Sequence, residues 1–176
     1  AAITGGSLVL HNVIPEHMSS IIYNLREAGC RINVSRNRIN IIGPKRASAI
    51  ETIRTLPYPG FPTDMQPQMV ALLSTARGTS IIVETVFENR FRHVDELLRM
   101  GAYIKLEGRT AIIKGVPKLI GAKVKALDLR GGASLVLAGL AAEGETEVSG
   151  VRHIDRGYQD IEKKLSSVGA IISRED

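Results

Sequence analysis

Three stretches of the chain repeat one order of hydrophobic and polar positions. Each opens with a glycine-led turn and a β-rich run, passes through a loop into an amphipathic helix, and ends with glycine, a small residue and a second β-rich run. The helix-ending glycines are Gly29, Gly101 and Gly169, and their spacing of about 70 residues indicates internal repeats. Glycine suits this position because the residue after a helix usually adopts a left-handed conformation. The stretches run from Gly5 to Val34, from Gly78 to Leu106 and from Gly144 to Ser173.

The spacing of apolar residues predicts two kinds of helix. In the amphipathic helices, apolar side chains recur every three or four positions and so share one helix face. Two further segments, Met65 to Arg77 and Gly131 to Gly144, are apolar nearly all round, so we expect them to be wholly buried. The opening residues, Ala1 to Gly6, resemble the end of a third buried helix. The amphipathic positions are Met18, Ile21, Ile22 and Leu25, then Val94, Leu97 and Leu98, then Tyr158, Ile161, Leu165 and Val168.

Together these elements predict one α/β domain over residues 1–176, made of three βαβαββ units at about residues 1–44, 45–117 and 118–176. The buried helices would form a central bundle with strands outside. The first unit lacks its opening strand and most of its buried helix. The first two units close with strand pairs, 31–34 with 38–42 and 102–106 with 110–114. A strand over Ala170–Arg174 has no partner, and an open edge is an aggregation liability, so we expect that neighbouring chain is missing.

Composition narrows the function classes. Hydrophobic residues make up 44% and charged residues 23%, which fits a soluble domain, and no apolar run approaches the roughly 20 residues of a membrane span. The single cysteine, Cys30, excludes an internal disulfide, fits the cytoplasm and occupies a small-residue packing position, so we interpret it as a buried structural thiol. Four scattered histidines predict no metal site, and no cofactor is expected. The charge of +5 invites a nucleic-acid interpretation, but aromatics are only 4% and the basic residues are dispersed.

Polar residues gather in the loops that follow the first and second strands of the units. Because ligands of open α/β sheets bind beyond the carboxyl ends of strands, these loops should share one rim. Asp64 lies in the loop PYPGFPTD, and Arg130 lies in the equivalent loop DLR. Arg90 and Arg156 lie in ETVFENRF and HIDRGY. Arginine binds phosphate or carboxylate through two hydrogen bonds, so three arginines at corresponding loops predict an anionic ligand.

Each of these residues also has a local structural interpretation. Asp64 could cap the following helix, with Pro67 in the first turn, and for Asp64 alone this is the favoured interpretation. Each arginine could pair with a nearby carboxylate instead of a ligand. These alternative pairs are Arg90 with Glu84 or Glu88, Arg130 with Asp128, and Arg156 with Asp155.

Four longer motifs make the sequence recognisable. In chain order they are PYPGFPTDMQPQ, ETVFENRF, DLRGGASLVLAGLAAEGETEV and HIDRGYQDIEKKL. Together they resemble the UDP-N-acetylglucosamine enolpyruvyl transferases over essentially all 176 residues. The related shikimate-pathway enzyme shares that fold, but ETVFENRF stands where its basic loop would be. The resemblance implies a bacterial two-domain enzyme, in which each domain is an inside-out α/β barrel of three repeats and the substrates bind between the domains.

The resemblance also implies an activity. Such enzymes transfer the enolpyruvyl group of phosphoenolpyruvate to the 3-hydroxyl of UDP-N-acetylglucosamine and release phosphate, in peptidoglycan synthesis and hence in cell-wall growth, cell shape and division. By resemblance, Asp64 is the catalytic carboxylate and Val86 contacts the nucleotide sugar. Arg90, Arg130 and Arg156 match arginines that hold phosphoenolpyruvate or reorganise around it.

Part of the implied machinery has no counterpart in this sequence. In the family a loop cysteine helps to protonate phosphoenolpyruvate, and a lysine and another arginine complete the phosphate site. These residues belong to the other domain, so we expect this chain to be inactive without its N-terminal segment and that domain. Two other classes stay open: a non-catalytic module that binds anions or nucleotide sugars and, supported only by net charge, a nucleic-acid-binding domain.

Overall fold

The computed structural model describes residues 1–175, which form nine strands, six α-helices and three 3-10 helices. The strands are β1 Ser7–His11, β2 Arg31–Ser35, β3 Arg38–Ile42, β4 Thr52–Arg54, β5 Thr79–Val83, β6 Tyr103–Glu107, β7 Thr110–Lys114, β8 Lys123–Lys125 and β9 Glu147–Ser149. The α-helices are α1 Ser19–Glu27, α2 Gln66–Leu73, α3 Val94–Arg99, α4 Leu129–Ala141, α5 Arg152–Asp155 and α6 Ile161–Ser166. The 3-10 helices are Pro15–Met18, Thr63–Met65 and Arg90–His93. Among these residues, none of the helices is both long and apolar enough to span a bilayer.

The strands form three sheets. The first is antiparallel in the order β1-β3-β2, the second has the order β4-β5-β7-β6 with β4 parallel to β5, and the third is the parallel pair β8-β9. Both predicted strand pairs are confirmed, as the antiparallel pairs β2–β3 and β6–β7. Alternation along these strands turns one face to the core, where Ile32 lies opposite Ile41 and Ile104 lies opposite Ile113.

Helices α2 and α4 pack against each other in the interior. All eight residues of α2 are buried, and in α4 the residues from Gly131 to Val136 are buried without interruption. Leu73 of α2 and Leu135 of α4 belong to the main core cluster, which also takes residues from the second sheet. The two segments that were predicted to be wholly buried are therefore interior neighbours, but the prediction holds only in part: beyond Val136 the second segment is mostly half-buried, and Arg77, Glu143 and Gly144 are exposed.

Two predicted helices differ in the structure. The amphipathic helix expected from Tyr158 begins only at Ile161, after Asp160 in a left-handed conformation with φ 46°. This break leaves the Tyr158 side chain free to reach Gln68 of α2, whose amide nitrogen donates to the Tyr158 hydroxyl at 3.0 Å. The residues Ala1 to Gly6, expected as the end of a buried helix, form a turn closed by a bond from the Gly6 N–H to the Ala1 carbonyl.

The strand predicted over Ala170–Arg174 is wrong for the described residues, where this segment is irregular. Strand backbone groups need a partner strand, and residues 1–175 place none beside this segment. The Ala170 N–H donates instead to the Leu165 carbonyl at the end of α6. Arg174 binds both Asp155 oxygens, at 3.0 and 2.7 Å, and Glu162 at 3.1 Å.

The residues that follow the amphipathic helices match their predicted roles. Gly29, Gly101 and Gly169 have φ values of 97°, 83° and 97°, which side chains with a Cβ rarely adopt. Cys30, which follows Gly29, is 5% exposed, and burial raises the pKa of its thiol. A buried, protonated thiol is a poor nucleophile, so the structural interpretation of Cys30 is supported.

Gly115 to alanine should destabilise the protein by about 2 kcal/mol or more, because overpacking at a rigid backbone forces local displacement. A Cβ at Gly115 would lie 1.9 Å from the Ala76 carbonyl oxygen, at the end of the α2 segment. Urea unfolding at pH 7 measures the change. Gly6 to alanine is the matched control, since its nearest neighbour would lie at an ordinary 3.5 Å. Equal stability of the two variants would contradict the prediction.

Candidate functional site

Three strand ends bring the predicted polar residues to one side of the fold. The chain leaves β4 and enters the 3-10 helix that carries Asp64 at the start of α2. It leaves β5 and reaches Arg90 before α3, and it leaves β8 and reaches Arg130 in the first turn of α4. All three side chains follow the carboxyl ends of strands that belong to parallel pairs, where ligand sites of α/β folds form.

Asp64 lies between two arginines. Its Oδ2 accepts a hydrogen bond from Arg130 Nη2 at 2.6 Å, and its Oδ1 accepts one from Arg90 Nη2 at 3.1 Å. The Asp64 side chain is 51% exposed, whereas that of Arg90 is 10% exposed. Within residues 1–175, neither the helix at Thr63–Met65 nor α2 receives a side-chain capping bond. The capping interpretation of Asp64 is therefore wrong, and its carboxylate belongs to the cleft.

The alternative local pairs are also wrong, because among residues 1–175 no ion pair joins Arg90 to Glu84 or Glu88, Arg130 to Asp128, or Arg156 to Asp155. Asp128 caps α4, where its Oδ1 accepts from the Arg130 N–H at 3.0 Å and from the Gly131 N–H at 2.8 Å. The guanidinium of Arg130 thereby stays available for Asp64. Asp155 is held by Arg174. In the part of the chain that the structure describes, Arg156 has no carboxylate within ion-pair distance.

Glu84 is a functional candidate that sequence reasoning named only as a possible partner of Arg90. It is 1% exposed, and its two oxygens accept four hydrogen bonds. The donors are the Thr55 hydroxyl at 2.8 Å, the Thr63 hydroxyl at 3.0 Å, and the N–H groups of Val86 and Phe87, each at 2.9 Å. A glutamate directly after a buried strand was the available sequence signal, but its partners come from three separate segments.

Both arginines have second contacts. Arg90 Nε donates to the Thr63 hydroxyl at 3.1 Å, and its guanidinium lies 4.2 Å from the centre of the Phe87 ring. Arg130 lies 3.5 Å from the Tyr158 hydroxyl through Nη1, and 5.8 Å from the ring centre. Each guanidinium is thus held on one side by neutral groups of the protein while another side faces Asp64.

The cleft beside Asp64 has a volume of about 730 Å³. Of the five residues predicted for the site, it gathers Asp64, Val86, Arg90 and Arg130. Val86 is 47% exposed in its wall. Arg156 is exposed at the end of α5 and does not line the cleft in this conformation. The other lining residues are Phe87, Glu88, Asn89, Arg92, Asp128 and Leu129.

The arginines control the ionisation of Asp64. The hydrogen bond from Arg130, with smaller contributions from both positive charges, holds the pKa of Asp64 below its usual value, although partial burial acts in the opposite direction. The same bond raises the pKa of Arg130. Asp64 is therefore an anion at neutral pH. An incoming phosphate or carboxylate would compete with Asp64 for the two guanidinium groups.

Comparisons with solved structures agree on the fold. The enolpyruvyl transferase NikO from Streptomyces tendae superposes with a TM-score of 0.84 at 25% identity, over 96% of this chain and 41% of that one. An EPSP synthase from Acinetobacter baumannii superposes with a TM-score of 0.69 at 21% identity, over 99% of this chain and 41% of that one. The family model of EPSP synthase (3-phosphoshikimate 1-carboxyvinyltransferase) matches residues 1–165. The chain thus has the α/β fold of the enolpyruvyl transferases.

Comparisons with curated proteins narrow the family. UDP-N-acetylglucosamine 1-carboxyvinyltransferase 2 of Caldanaerobacter subterraneus subsp. tengcongensis is 56% identical over 174 residues, which are 99% of this chain and 42% of the relative. The UDP-N-acetylglucosamine 1-carboxyvinyltransferase of Desulfofundulus thermocisternus is 56% identical over 174 residues, and 71% of that relative is covered. The chain belongs to the UDP-N-acetylglucosamine 1-carboxyvinyltransferase family, as its motifs predicted. It spans about 42% of the length of the first of these relatives.

Proposed function

We propose that this chain is part of a bacterial cytoplasmic enzyme of peptidoglycan synthesis, which transfers the enolpyruvyl group of phosphoenolpyruvate to the 3-hydroxyl of UDP-N-acetylglucosamine and releases phosphate. The names of its relatives support the reaction class. The observation that carries the proposal is the placement of one carboxylate, Asp64, between Arg90 and Arg130 in an open cleft. This arrangement combines an anion-binding pair with a proton acceptor.

The substrate and Asp64 would compete for the same arginines, and this competition would make Asp64 a stronger base. Phosphoenolpyruvate carries a phosphate and a carboxylate, and guanidinium groups bind both through paired hydrogen bonds. When the substrate takes the hydrogen bond that Arg130 makes to Asp64, the main cause of the lowered pKa is removed and the pKa of Asp64 rises. A more basic carboxylate is then a better acceptor for the proton of the attacking hydroxyl. Binding of the substrate therefore also converts Asp64 into a better proton acceptor.

The remaining groups complete this assignment. The Val86 N–H is bound to Glu84, so a backbone contact from Val86 to the nucleotide sugar would use its carbonyl. Arg156 would reach phosphoenolpyruvate only after the loop between α5 and α6 moves toward the cleft. The acid that protonates C3 of phosphoenolpyruvate, and further anion ligands, come from the N-terminal segment and second domain of the full-length protein, so the chain alone does not turn over.

We also propose that the domain is an inside-out barrel of three βαβαββ units, with the first and last incomplete. Equivalent contacts in the first two units support this. The Gly43 N–H donates to the Gly6 carbonyl at 2.9 Å, and the Gly115 N–H donates to the Gly78 carbonyl at 3.0 Å. A Cβ at Gly43 or Gly115 would meet the backbone of the preceding segment in the same way.

The test is phosphate release by the full-length protein. We expect inorganic phosphate, and an enolpyruvyl adduct seen by mass spectrometry, only when phosphoenolpyruvate and UDP-N-acetylglucosamine are both present. 3-Phosphoshikimate replaces the nucleotide sugar in a matched reaction, and product there would instead favour the shikimate-pathway activity. Binding of both substrates without phosphate release would favour a non-catalytic module. Tight binding of DNA or RNA, with neither substrate bound, would contradict the proposal.

A further inference from the structure

The carboxylate of Glu84 connects two parts of the cleft. One oxygen, Oε1, accepts from the N–H groups of Val86 and Phe87, which form one wall. The other oxygen, Oε2, accepts from the Thr63 hydroxyl, which in turn accepts from Arg90 Nε. Glu84 therefore lies at the junction between the wall and the anion-binding arginine, although it does not itself line the cleft.

The direction of each hydrogen bond matters here. Arg90 Nε can only donate, and an ionised Glu84 can only accept. The Thr63 hydroxyl has one proton, which it gives to Glu84, so its lone pairs face Arg90. A hydroxyl at this position can therefore join the carboxylate to Nε, because it donates to the carboxylate and accepts from Nε. The Thr63 hydroxyl therefore donates toward Glu84 and accepts from the side of Arg90.

The consequence is a guanidinium held on three sides. Nε is bound to Thr63, Nη2 is bound to Asp64, and the ring of Phe87 lies against one face. The Phe87 N–H is itself held by Glu84. Because a guanidinium fixed in advance loses less entropy when it binds a planar anion, this arrangement favours tight binding.

We infer that Glu84 and Thr63 are positioning residues, which orient the Arg90 guanidinium for the anion of the substrate and tie that orientation to the Val86–Phe87 wall. The inference rests on the proposed function only in taking phosphoenolpyruvate as the anion. Glu84 is satisfied by four donors, and within residues 1–175 it forms no ion pair, so charge compensation in the core does not account for its presence.

The test compares threonine variants in the full-length protein. Thr63→Val keeps the shape of the side chain but removes the hydroxyl. We expect the Kd of phosphoenolpyruvate, measured by calorimetry without UDP-N-acetylglucosamine so that no turnover occurs, to rise about tenfold, as for one hydrogen bond to a charged group. The KM should rise with it while kcat changes less. Thr63 to serine keeps the hydroxyl and should stay within about twofold of wild type.

Thr55 to valine is the matched control. Thr55 is fully buried and also donates to Glu84, but to Oε1, and it does not contact Arg90. This variant should be destabilised without the tenfold change in Kd. Glu84 to glutamine tests the same link from the other side, since an amide nitrogen at the Oε2 position would donate to Thr63 and reverse the bond. We expect a smaller rise in the Kd of phosphoenolpyruvate than for Thr63→Val, because the Thr63 oxygen has two lone pairs and can still accept from Arg90 Nε.

A double-mutant cycle separates positioning from general damage. In an Arg90 to lysine background there is no Nε–H of a guanidinium to orient, so Thr63 to valine should add nothing to the Kd. Equal effects of Thr63 to valine in both backgrounds, or an equal effect of Thr55 to valine, would overturn the inference. So would a wild-type protein that binds neither phosphoenolpyruvate nor inorganic phosphate. A wild type that binds phosphoenolpyruvate but forms no product would refute the proposed function and leave this inference standing.

Discussion

Replacing Asp64 with asparagine should lower the kcat of the full-length protein by about two orders of magnitude or more, since removal of a general base costs that much. Asparagine keeps the shape of the side chain but cannot accept the proton of an attacking hydroxyl. The Asp64 side chain is half exposed and makes no helix-capping bond, so stability should change by less than about 1 kcal/mol. Steady-state phosphate release and urea unfolding measure the two quantities.

A matched carboxylate gives the control. Glu107 on β6 is exposed and paired with Lys105 at 2.6 Å, so Glu107 to glutamine also removes an ion-paired charge, but away from the cleft. It should leave kcat within about twofold, as expected for a surface pair. If Asp64 to asparagine retained a kcat near that of wild type, Asp64 would serve only to hold the two arginines, and another group would accept the proton.

Lowering the pH from about 6.5 to 4 should reduce the free energy of unfolding by about 3 kcal/mol because of His93 alone. His93 is 2% exposed, and burial lowers its pKa from 6.5 to about 4, although the carbonyl of Arg90 and the charge of Asp128 favour the protonated form. Its Nδ1 lies 3.0 Å from the Arg90 carbonyl, and its buried Nε2 has no protein partner among residues 1–175.

The free energy of unfolding falls at lower pH because the unfolded chain takes up a proton at His93 before the folded chain does. Above pH 6.5 both folded and unfolded chains hold a neutral imidazole, so stability is highest there with respect to this group. Between pH 6.5 and about 4 the unfolded chain binds a proton that the folded chain does not, so the free energy of unfolding falls as the pH falls. Below about 4 the folded form is protonated as well, and the loss levels off. Urea unfolding at intervals across this range measures the slope.

Two variants identify the group responsible. His93 to asparagine retains an N–H that can donate to the Arg90 carbonyl but cannot titrate in this range. It will be less stable at pH 7 because it leaves a cavity, yet most of the pH-dependent loss should be absent. His17 to asparagine removes an exposed histidine and should keep the full loss. An unchanged slope in the His93 variant would refute the assignment.

Much of the fold follows from patterns within about 15 consecutive residues. The repeated β-rich runs in 31–42 and 102–114 predicted both strand pairs, and the apolar segments of α2 and α4 predicted burial. These features depend on local periodicity, which a sequence displays directly. The strand expected over Ala170–Arg174 failed for the opposite reason, since a strand is defined by a partner and not by its own residues.

The candidate site was predictable in location but not in its contacts. The rule that loops after strands share a rim correctly brought Asp64, Arg90 and Arg130 together. The rule that aspartate caps the helix it precedes was wrong for Asp64 and correct for Asp128. Both residues lie near helix starts, but Asp64 lies inside the 3-10 helix that precedes α2, whereas Asp128 is the N-cap of α4. The difference is that two guanidinium groups, 26 and 66 positions away, reach Asp64.

Motifs and short-range periodicity are visible in the amino-acid sequence, and they were enough to predict the family, the two buried helices, the hairpins and the charged residues of the rim. The pairing of each carboxylate with its cation depends on how the folded chain brings distant segments together. Glu84 shows why: its four donors come from three segments of the chain and meet only where β4, β5 and the start of α2 converge. Hydrogen bonds act over about 3 Å, whereas the sequence records only order along the chain.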